Sequence, residues 1–474
     1  MGYEVVIGLE THVELSTKSK IFCGCSTAFG GEPNAQCCPI CMGMPGTLPV
    51  MNEEVVAYSV KAGLALDCNI TKENRFDRKN YFYPDLPKAY QVSQLYYPIC
   101  TDGGLELEGG KRIRIREIHM EEDAGKLLHD ALPGATLADY NRCGVPLIEI
   151  VTQPDFRTAE EVLEYLKKLQ AILQYLNVSD CKMQEGSMRA DINLSVRQEG
   201  AEAYGTRTEM KNMNSFKAIG RAIAYEAKRQ IELLEKGERV IQETRRWDDN
   251  KGMSYAMRSK ENAQDYRYFP EPDIPPLRIA QAQIDGWKGE LPELPQARYQ
   301  RYVAEYGLPE FDAGILTGTK ALAELFEGAT EICNRPKDVS NFIMGDILRL
   351  VGEQEDMEEG DIAFAPEKLA TIVNLLANGK INRQSAKKIL AQVFYEDVDP
   401  VGYMEAEGLA IVVDEGALAA AVEKVLGENE KSVADYKGGK EKAFGALVGG
   451  VMKEMRGKAD PATVNRMLKE RLDG

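Results

Sequence analysis

The 474 residues are 44% hydrophobic and 28% charged, values of an ordinary globular chain with room for about three domains. No apolar run approaches the ~18 residues of a membrane span and no basic, apolar leader follows Met1, so a soluble, cytoplasmic protein is expected. A net charge of −17 excludes a general nucleic-acid coat, because phosphate binding needs clustered Lys and Arg.

The first readable element is V-V-I-G-L-E-T-H-V-E-L, from Val5 to Leu15. Side chains alternate across a strand, so Ile7, Leu9, Thr11, Val13 and Leu15 share one face and Glu10, His12 and Glu14 the other. The apolar row is expected in the core. An imidazole between two carboxylates suits a hard cation or general acid/base work, and the chain has only three histidines, His12, His119 and His129. The exposed polar face of an antiparallel strand would leave the same pattern.

Cys23, Cys25, Cys38 and Cys41 follow as C-x-C, twelve residues, then C-P-I-C, with Cys37 adjacent. Two close thiol pairs joined by a short loop of glycines and prolines can place four sulfurs around one tetrahedral zinc. With no open position, such a zinc is structural. Disulfides are the alternative, disfavoured because nothing marks the chain as secreted. Cys68, Cys100, Cys143, Cys181 and Cys333 are scattered and read as small core residues.

Asn52 caps a predicted helix to about Leu66, with Glu53 and Glu54 in its positive first turn. The stretch F-D-R-K-N-Y-F-Y-P-D-L-P-K-A-Y-Q, from Phe76 to Gln91, interleaves Arg78, Lys79 and Lys88 with Tyr81, Phe82, Tyr83 and Tyr90. It reads as a loop that holds phosphate and stacks a base, or as a packed surface loop. In R-I-R-I-R-E-I-H-M-E-E-D, from Arg112 to Asp123, alternation ends in three adjacent carboxylates, which are either solvated or gathered around a cation. V-P-L-I-E-I-V, from Val145 to Val151, then reads as a central buried strand carrying one carboxylate, Glu149. Stranding that charge costs several kcal/mol unless a cation or donors meet it; a strand-end Glu reaching solvent or an Arg is the plainer reading.

Thr158 to Glu161 is a capping box that opens a helix to about Asn177. Two strands follow. One points Met188, Ala190, Ile192 and Leu194 inward and Arg189, Asp191 and Asn193 outward; the other, its expected hairpin partner, puts Arg207, Glu209 and Lys211 on one face. A helix from Ser215 to about Lys236 precedes a proline cluster at Pro270, Pro272, Pro275 and Pro276, then Pro292 and Pro295, where the mixed region ends. Beyond it the pattern is helical, as in Lys320 to Phe326, Ser340 to Val351, Pro366 to Ala377 and Ala417 to Leu426. Glycines at 438, 439, 449 and 450 predict a mobile tail. From Tyr436 to Gly474, nine Lys and Arg stand against five Asp and Glu, so this end is net +4: a solvated face or a nucleic-acid contact.

Together, E-T-H-V-E, D-R-K-N-Y-F-Y-P-D, H-M-E-E-D-A-G-K and N-R-x-G-x-P-L-I-E-I-V closely resemble the B-subunit (GatB) family of bacterial glutamyl/aspartyl-tRNA amidotransferases, and the likeness runs to the C-terminus. The resemblance implies an α+β chain: a mixed α/β cradle over 1–293, a helical domain over 294–404 and a tRNA-binding helical tail over 405–474. It implies a ligase that phosphorylates the side-chain carboxylate of Glu-tRNA(Gln) or Asp-tRNA(Asn) with ATP and Mg²⁺. Ammonia from an amidase-type A subunit would then displace phosphate, with a small C subunit completing a heterotrimer. Phosphoryl transfer needs positioned cations more than a nucleophile, and the chain has carboxylates on strands and no Walker loop.

On this reading His12, Glu122 and Glu149 bind Mg²⁺, with Glu10 and Asp191 in its shell or at a second ion. Arg78 and Lys79 neutralise the phosphates, and Cys23, Cys25, Cys38 and Cys41 hold a structural zinc. His12 is the least usual of these ligands, since Mg²⁺ prefers oxygen. Nothing in the chain resembles a Ser/Lys or activated Cys site for making ammonia. The competing readings are an inert tRNA-binding scaffold and a stand-alone metal-dependent phosphohydrolase or carboxylate ligase.

Overall fold

The alternating run near the N-terminus is strand β1, Tyr3–Glu14, in the computed structural model, which describes residues 2–132, 134–259, 266–354, 360, 362–411, 415–455, 459 and 461–473. The strands after it are β2 (Asn69–Ile70), β3 (Glu73–Asn74), β4 (Asp77–Asn80), β5 (Tyr90–Ser93), β6 (Cys100–Glu106), β7 (Arg112–Glu122), β8 (Lys126–Leu132) and β9 (Ala135–Asp139). Then come β10 (Pro146–Thr152), β11 (Met188–Gln198), β12 (Thr208–Lys211), β13 (Glu243–Asp248), β14 (Met253–Ser259), β15 (Phe269–Pro270) and β16 (Leu277–Arg278). Helices α1 (Glu53–Ala65), α2 (Ala159–Tyr175), α3 (Phe216–Glu235) and α4 (Gln281–Gly289) accompany them.

Nine strands form one sheet in the order β14-β13-β12-β11-β1-β10-β7-β6-β2. Every neighbouring pair is antiparallel except β12 and β13, which α3 joins, as a parallel pair requires a crossover. Ile7, Leu9, Thr11, Val13 and Leu15 are all buried, as their spacing predicts. Ile7, Leu9, Val13 and Leu15, with Ile148 and Ile150 of β10 and Ile192 and Leu194 of β11, meet Leu166 and Leu169 of α2 and Ile219 and Ile223 of α3 in one apolar core. Each such side chain contributes about 1.5–3 kcal/mol on leaving water. β10 lies mid-sheet with all seven residues buried, so its continuous apolar run has the expected cause.

The caps form where the sequence places them. Asn52 Oδ1 accepts from the Glu54 N–H at 3.0 Å, and Thr158 Oγ1 from the Glu161 N–H at 3.2 Å. The Glu161 carboxylate accepts from the Arg157 N–H at 2.7 Å, one residue before the cap. The predicted hairpin partners also pair, with Asn193 opposite Glu209. The stretch expected as a loop at 76–91 is a loop only in its middle. Its ends are β4 and β5, paired from Asp77 and Ser93 to Asn80 and Tyr90, and with β15 they make a second sheet in the order β15-β4-β5. Pro84 and Pro87 hide this in the sequence by interrupting the run between the two strands.

The chain divides into two units, Met1–Pro295 and Gln296–Gly474. In the second, the described residues form helices and turns with no strand, around one apolar cluster from Tyr302 to Met404 and another from Leu418 to Leu472. The fold class is thus α+β, a mixed first part followed by helices. The helix expected over Ser340 to Val351 is interrupted by a π turn, Ile343–Ile347, between helices Pro336–Phe342 and Leu348–Gly352. Asp346, buried in that turn, lies 2.6 Å from Arg383 and 3.0 Å from Lys387. Side-chain periodicity does not register a single wide turn of this kind. No helix among the described residues is long and apolar enough to cross a membrane.

Candidate functional site

Strand register gathers the polar groups of the first unit onto the sheet face opposite the core. His12 of β1 lies opposite Glu149 of β10 on one side and Arg189 of β11 on the other, and Glu149 lies opposite His119 of β7. Two residues along, Glu10 lies opposite Asp191, and Asn193 opposite Glu209. Alternation aims all of these away from the helices.

Two groups of metal-ligating atoms result. One donor atom each of His12, Glu121 and Glu149 lies within 4.8 Å of the others, and the same holds for Glu10, Asp191 and Glu209. In the first group both carboxylates are buried. His119 Nε2 bridges them, 2.8 Å from Glu149 Oε2 and 3.2 Å from Glu121 Oε1, and His12 Nε2 is 3.7 Å from Glu149. Ser93 Oγ and Gln91 Nε2 donate to Glu121 at 2.6 and 3.0 Å. Burial works to raise the Glu149 carboxyl, but His12 and His119 beside it hold it well below the usual carboxylate range. Burial likewise opposes charge on His119, yet Glu149 and Glu121 raise it to about 10.

This donor set fits a divalent cation. Two oxygens and an imidazole converge, the buried carboxylates repel each other, and His119 Nδ1 has no hydrogen-bond partner among the described residues. The second group, like the first with His119, contains a cation of its own: the Lys211 ammonium contacts Asp191 and lies 3.5 Å from Glu209.

The set expected from sequence changes in two places. Glu122, expected beside His12 and Glu149, projects from the other face of β7, where its carboxylate accepts from the Val92 N–H at 2.9 Å and from Lys88. Glu121, two residues from His119, takes its place by alternation. Glu122 instead lines a cavity of about 190 Å³ together with Lys20, Cys41, Lys88 and Glu271. Arg78, expected at the phosphates, is bidentate to buried Glu271 at 2.6 and 3.0 Å and reaches Asp273 at 3.0 Å. Its guanidinium also stacks 4.3 Å over Tyr90. Lys79, on the opposite face of β4, makes no ion pair among the described residues. Burial opposes its charge, but Glu121, Tyr268 and Glu149 raise its pKa.

The Cys23, Cys25, Cys38 and Cys41 sulfurs lie within 4.8 Å of one another. Sγ of Cys38 and Cys41 are 3.9 Å apart, close to the ~3.8 Å that Zn–S bonds of ~2.3 Å impose at a tetrahedral centre. Hydrogen bonding with Cys23 pulls the Cys41 thiol well below its ordinary value, helped by the Lys20 ammonium 3.7 Å away. Lys20 is fully buried, so a positive charge stands where four thiolates around zinc would carry net negative charge. This set fits zinc, and Cys37 stands outside it, 3.9 Å from Asn141 Oδ1. Of the other cysteines, Cys68, Cys100, Cys143 and Cys181 are buried as expected, whereas Cys333 is half-buried.

Residues 5–285 match the family model of the GatB/GatE catalytic domain, and residues 324–472 that of the GatB domain. The chain belongs to the GatB family. A relative from Lachnoclostridium phytofermentans, named as the B subunit of an aspartyl/glutamyl-tRNA(Asn/Gln) amidotransferase, is 62% identical over 473 residues, 99% of each chain. Proteins of the same name from Lachnospira eligens and Caldicellulosiruptor bescii are 58% and 54% identical over at least 99% of each chain.

The GatB/GatE catalytic segment contains both carboxylate groups, Lys79 and the four cysteines. Within it, the sequence pattern leaves His119 and Glu121 out of the site and carries Glu209 no further than a strand face shared with Arg207 and Lys211. A signal for the first two is present: in I-H-M-E-E, His119 and Glu121 share the face opposite Ile118 and Met120, both fully buried.

Proposed function

We infer that this GatB-family chain is the B subunit of a tRNA-dependent amidotransferase, a ligase-type enzyme working within a multi-subunit complex. We assign to it the ATP-dependent half of the reaction. The side-chain carboxylate of Glu-tRNA(Gln) or Asp-tRNA(Asn) attacks the γ-phosphorus of ATP, the bond to ADP breaks, and an acyl phosphate forms. Ammonia then attacks the acyl carbon, phosphate leaves, and loss of a proton gives the amide. An amidase-type A subunit supplies the ammonia and a small C subunit completes the heterotrimer, in the cytoplasm.

The observation that carries this reading is the His12, Glu121 and Glu149 group with Lys79 in its field. These three residues would hold Mg²⁺, which when bound neutralises phosphate charge. Lys79 adds a cation for the phosphates that has no carboxylate partner among the described residues. His119 acts through others: it fixes the two carboxylates at one spacing. Glu10, Asp191 and Glu209 line the adjoining face, where Lys211 already offsets their charge or makes way for a second ion. Cys23, Cys25, Cys38 and Cys41 hold zinc for local folding and touch no reacting atom. Residues 1–293 serve as the catalytic cradle, 294–404 as a helical domain and 405–474 as the tRNA-binding tail, a division supported by their separate apolar clusters.

The deciding experiment is conversion of Glu-tRNA(Gln) to Gln-tRNA(Gln) by the purified complex with ATP, Mg²⁺ and glutamine, wild type beside Glu149→Gln. Loss of conversion with glutamine hydrolysis intact supports the assignment. Normal conversion favours the alternative, a tRNA-binding scaffold whose chemistry lies elsewhere.

A further inference from the structure

Two strands distant in sequence build one aromatic face at the edge of the carboxylate group. β15 runs antiparallel to β4 with Phe269 opposite Arg78 and Pro270 opposite Asp77, and the Asn80 side-chain amide donates to the Arg267 carbonyl at 2.8 Å. Continued by one residue, this register sets Tyr268 beside Lys79, on the face opposite Arg78 and Phe269; Arg267, at a φ of 46°, then turns the chain out of the strand. Ring contacts place Tyr266. Tyr266 packs edge-on against Tyr81 at 5.9 Å and against Tyr268 at 6.1 Å, and Lys79 Nζ lies 5.2 Å from the centre of the Tyr266 ring. Gln91, opposite Lys79 on β5, donates to Glu121 and so ties this face to the metal-ligating carboxylates.

The other cations around the site have carboxylate partners: Arg78 has Glu271, Lys88 has Glu122 and Lys211 has Asp191. Among the described residues Lys79 has an aromatic ring instead. A carboxylate partner would neutralise the ammonium and would have to be displaced by an incoming phosphate. A ring attracts the ammonium through its quadrupole and narrows the wandering of the four-carbon stem, yet leaves the full charge for the ligand. We propose that Tyr266 is a positioning residue, which holds the Lys79 ammonium in place and unneutralised for the phosphates of a nucleoside triphosphate.

This proposal rests on the assignment of Lys79 to phosphate made above. The test is kcat and KM for ATP in tRNA amidation by the assembled complex, with wild type, Tyr266→Phe, Tyr266→Leu, Lys79→Ala and the Lys79→Ala/Tyr266→Leu double variant. Phenylalanine keeps the ring, so its kinetics stay near wild type. Leucine lowers kcat/KM for ATP roughly two- to thirtyfold, and the double variant is no worse than Lys79→Ala alone. Replacing Tyr266 by a series of increasingly fluorinated phenylalanines keeps the packing while draining the quadrupole, so kcat/KM falls stepwise.

A flat fluorination series, or losses that multiply in the double variant, overturns the role of Tyr266 while Lys79→Ala remains defective. Wild-type kinetics for Lys79→Ala overturns the phosphate assignment and the positioning role with it.

Discussion

Glu121 and Glu122 are consecutive on β7, yet their carboxylates serve opposite faces of the sheet: one bonds His119, Gln91 and Ser93, the other Lys88 and the Val92 N–H. Their neutral variants should therefore diverge. Glu121→Gln should raise the Mg²⁺ concentration for half-maximal amidation at least ~10-fold. Glu122→Gln should leave the Mg²⁺ titration in place and lower thermal stability, because Lys88 loses its carboxylate. Equal Mg²⁺ shifts in both would contradict the separation.

Arg78 and Lys79 split in the same way. Arg78→Met strands buried Glu271 and should cost about 3–5 kcal/mol of stability, read as a lower melting temperature. Activity per folded molecule should keep its KM for ATP. A raised KM with unchanged melting would instead place Arg78 at the phosphates.

The four-cysteine group should carry about one zinc per chain in protein purified without chelator. Cys41→Ser should lose that zinc and melt earlier. Metal analysis that finds folded protein with essentially none would remove zinc from the account.

Glu226 of α3 offers a pH test away from the site. It is fully buried, with Thr208 Oγ1 at 2.8 Å, Gln230 Nε2 at 2.9 Å and Arg229 at 2.7 Å. Burial pushes its carboxyl up, but Arg229 and Gln230 hold it below the ordinary 4.5. A depressed folded value gives stability that is complete above the unfolded pKa and is lost as pH falls through the folded one. Glu226→Gln should cost about 3 kcal/mol at neutral pH and flatten the acid limb of melting temperature against pH. An unchanged acid limb would assign that limb to other carboxylates.

Period-two alternation carries most of the legible site. It places Glu10, His12 and Asp191 on polar faces, and register then joins to them Glu149, the one carboxylate of a continuous apolar run. The same rule, applied from His119, selects Glu121. Three acids in a row obscure it, because they look equivalent until the strand face is known. Arg78 escapes for a different reason: its partner Glu271 lies 193 positions away, and no local pattern reveals a bond of that span. The four cysteines need no such help, since their spacing alone confines them to one loop.

The long-range pairing of β4 with β15 also has a consequence for synthesis. Translation delivers His12, Glu121 and Glu149 well before Tyr266 and Glu271, and the pairing of β4 with β15 must wait for the later strand. A nascent chain halted between Thr152 and Arg267 presents a row of buried-to-be acids with Arg78 still lacking its carboxylate and Lys79 its ring. During that interval the small sheet of β4 and β5 lacks its third strand, and its aromatic wall closes only once Pro270 has emerged from the ribosome.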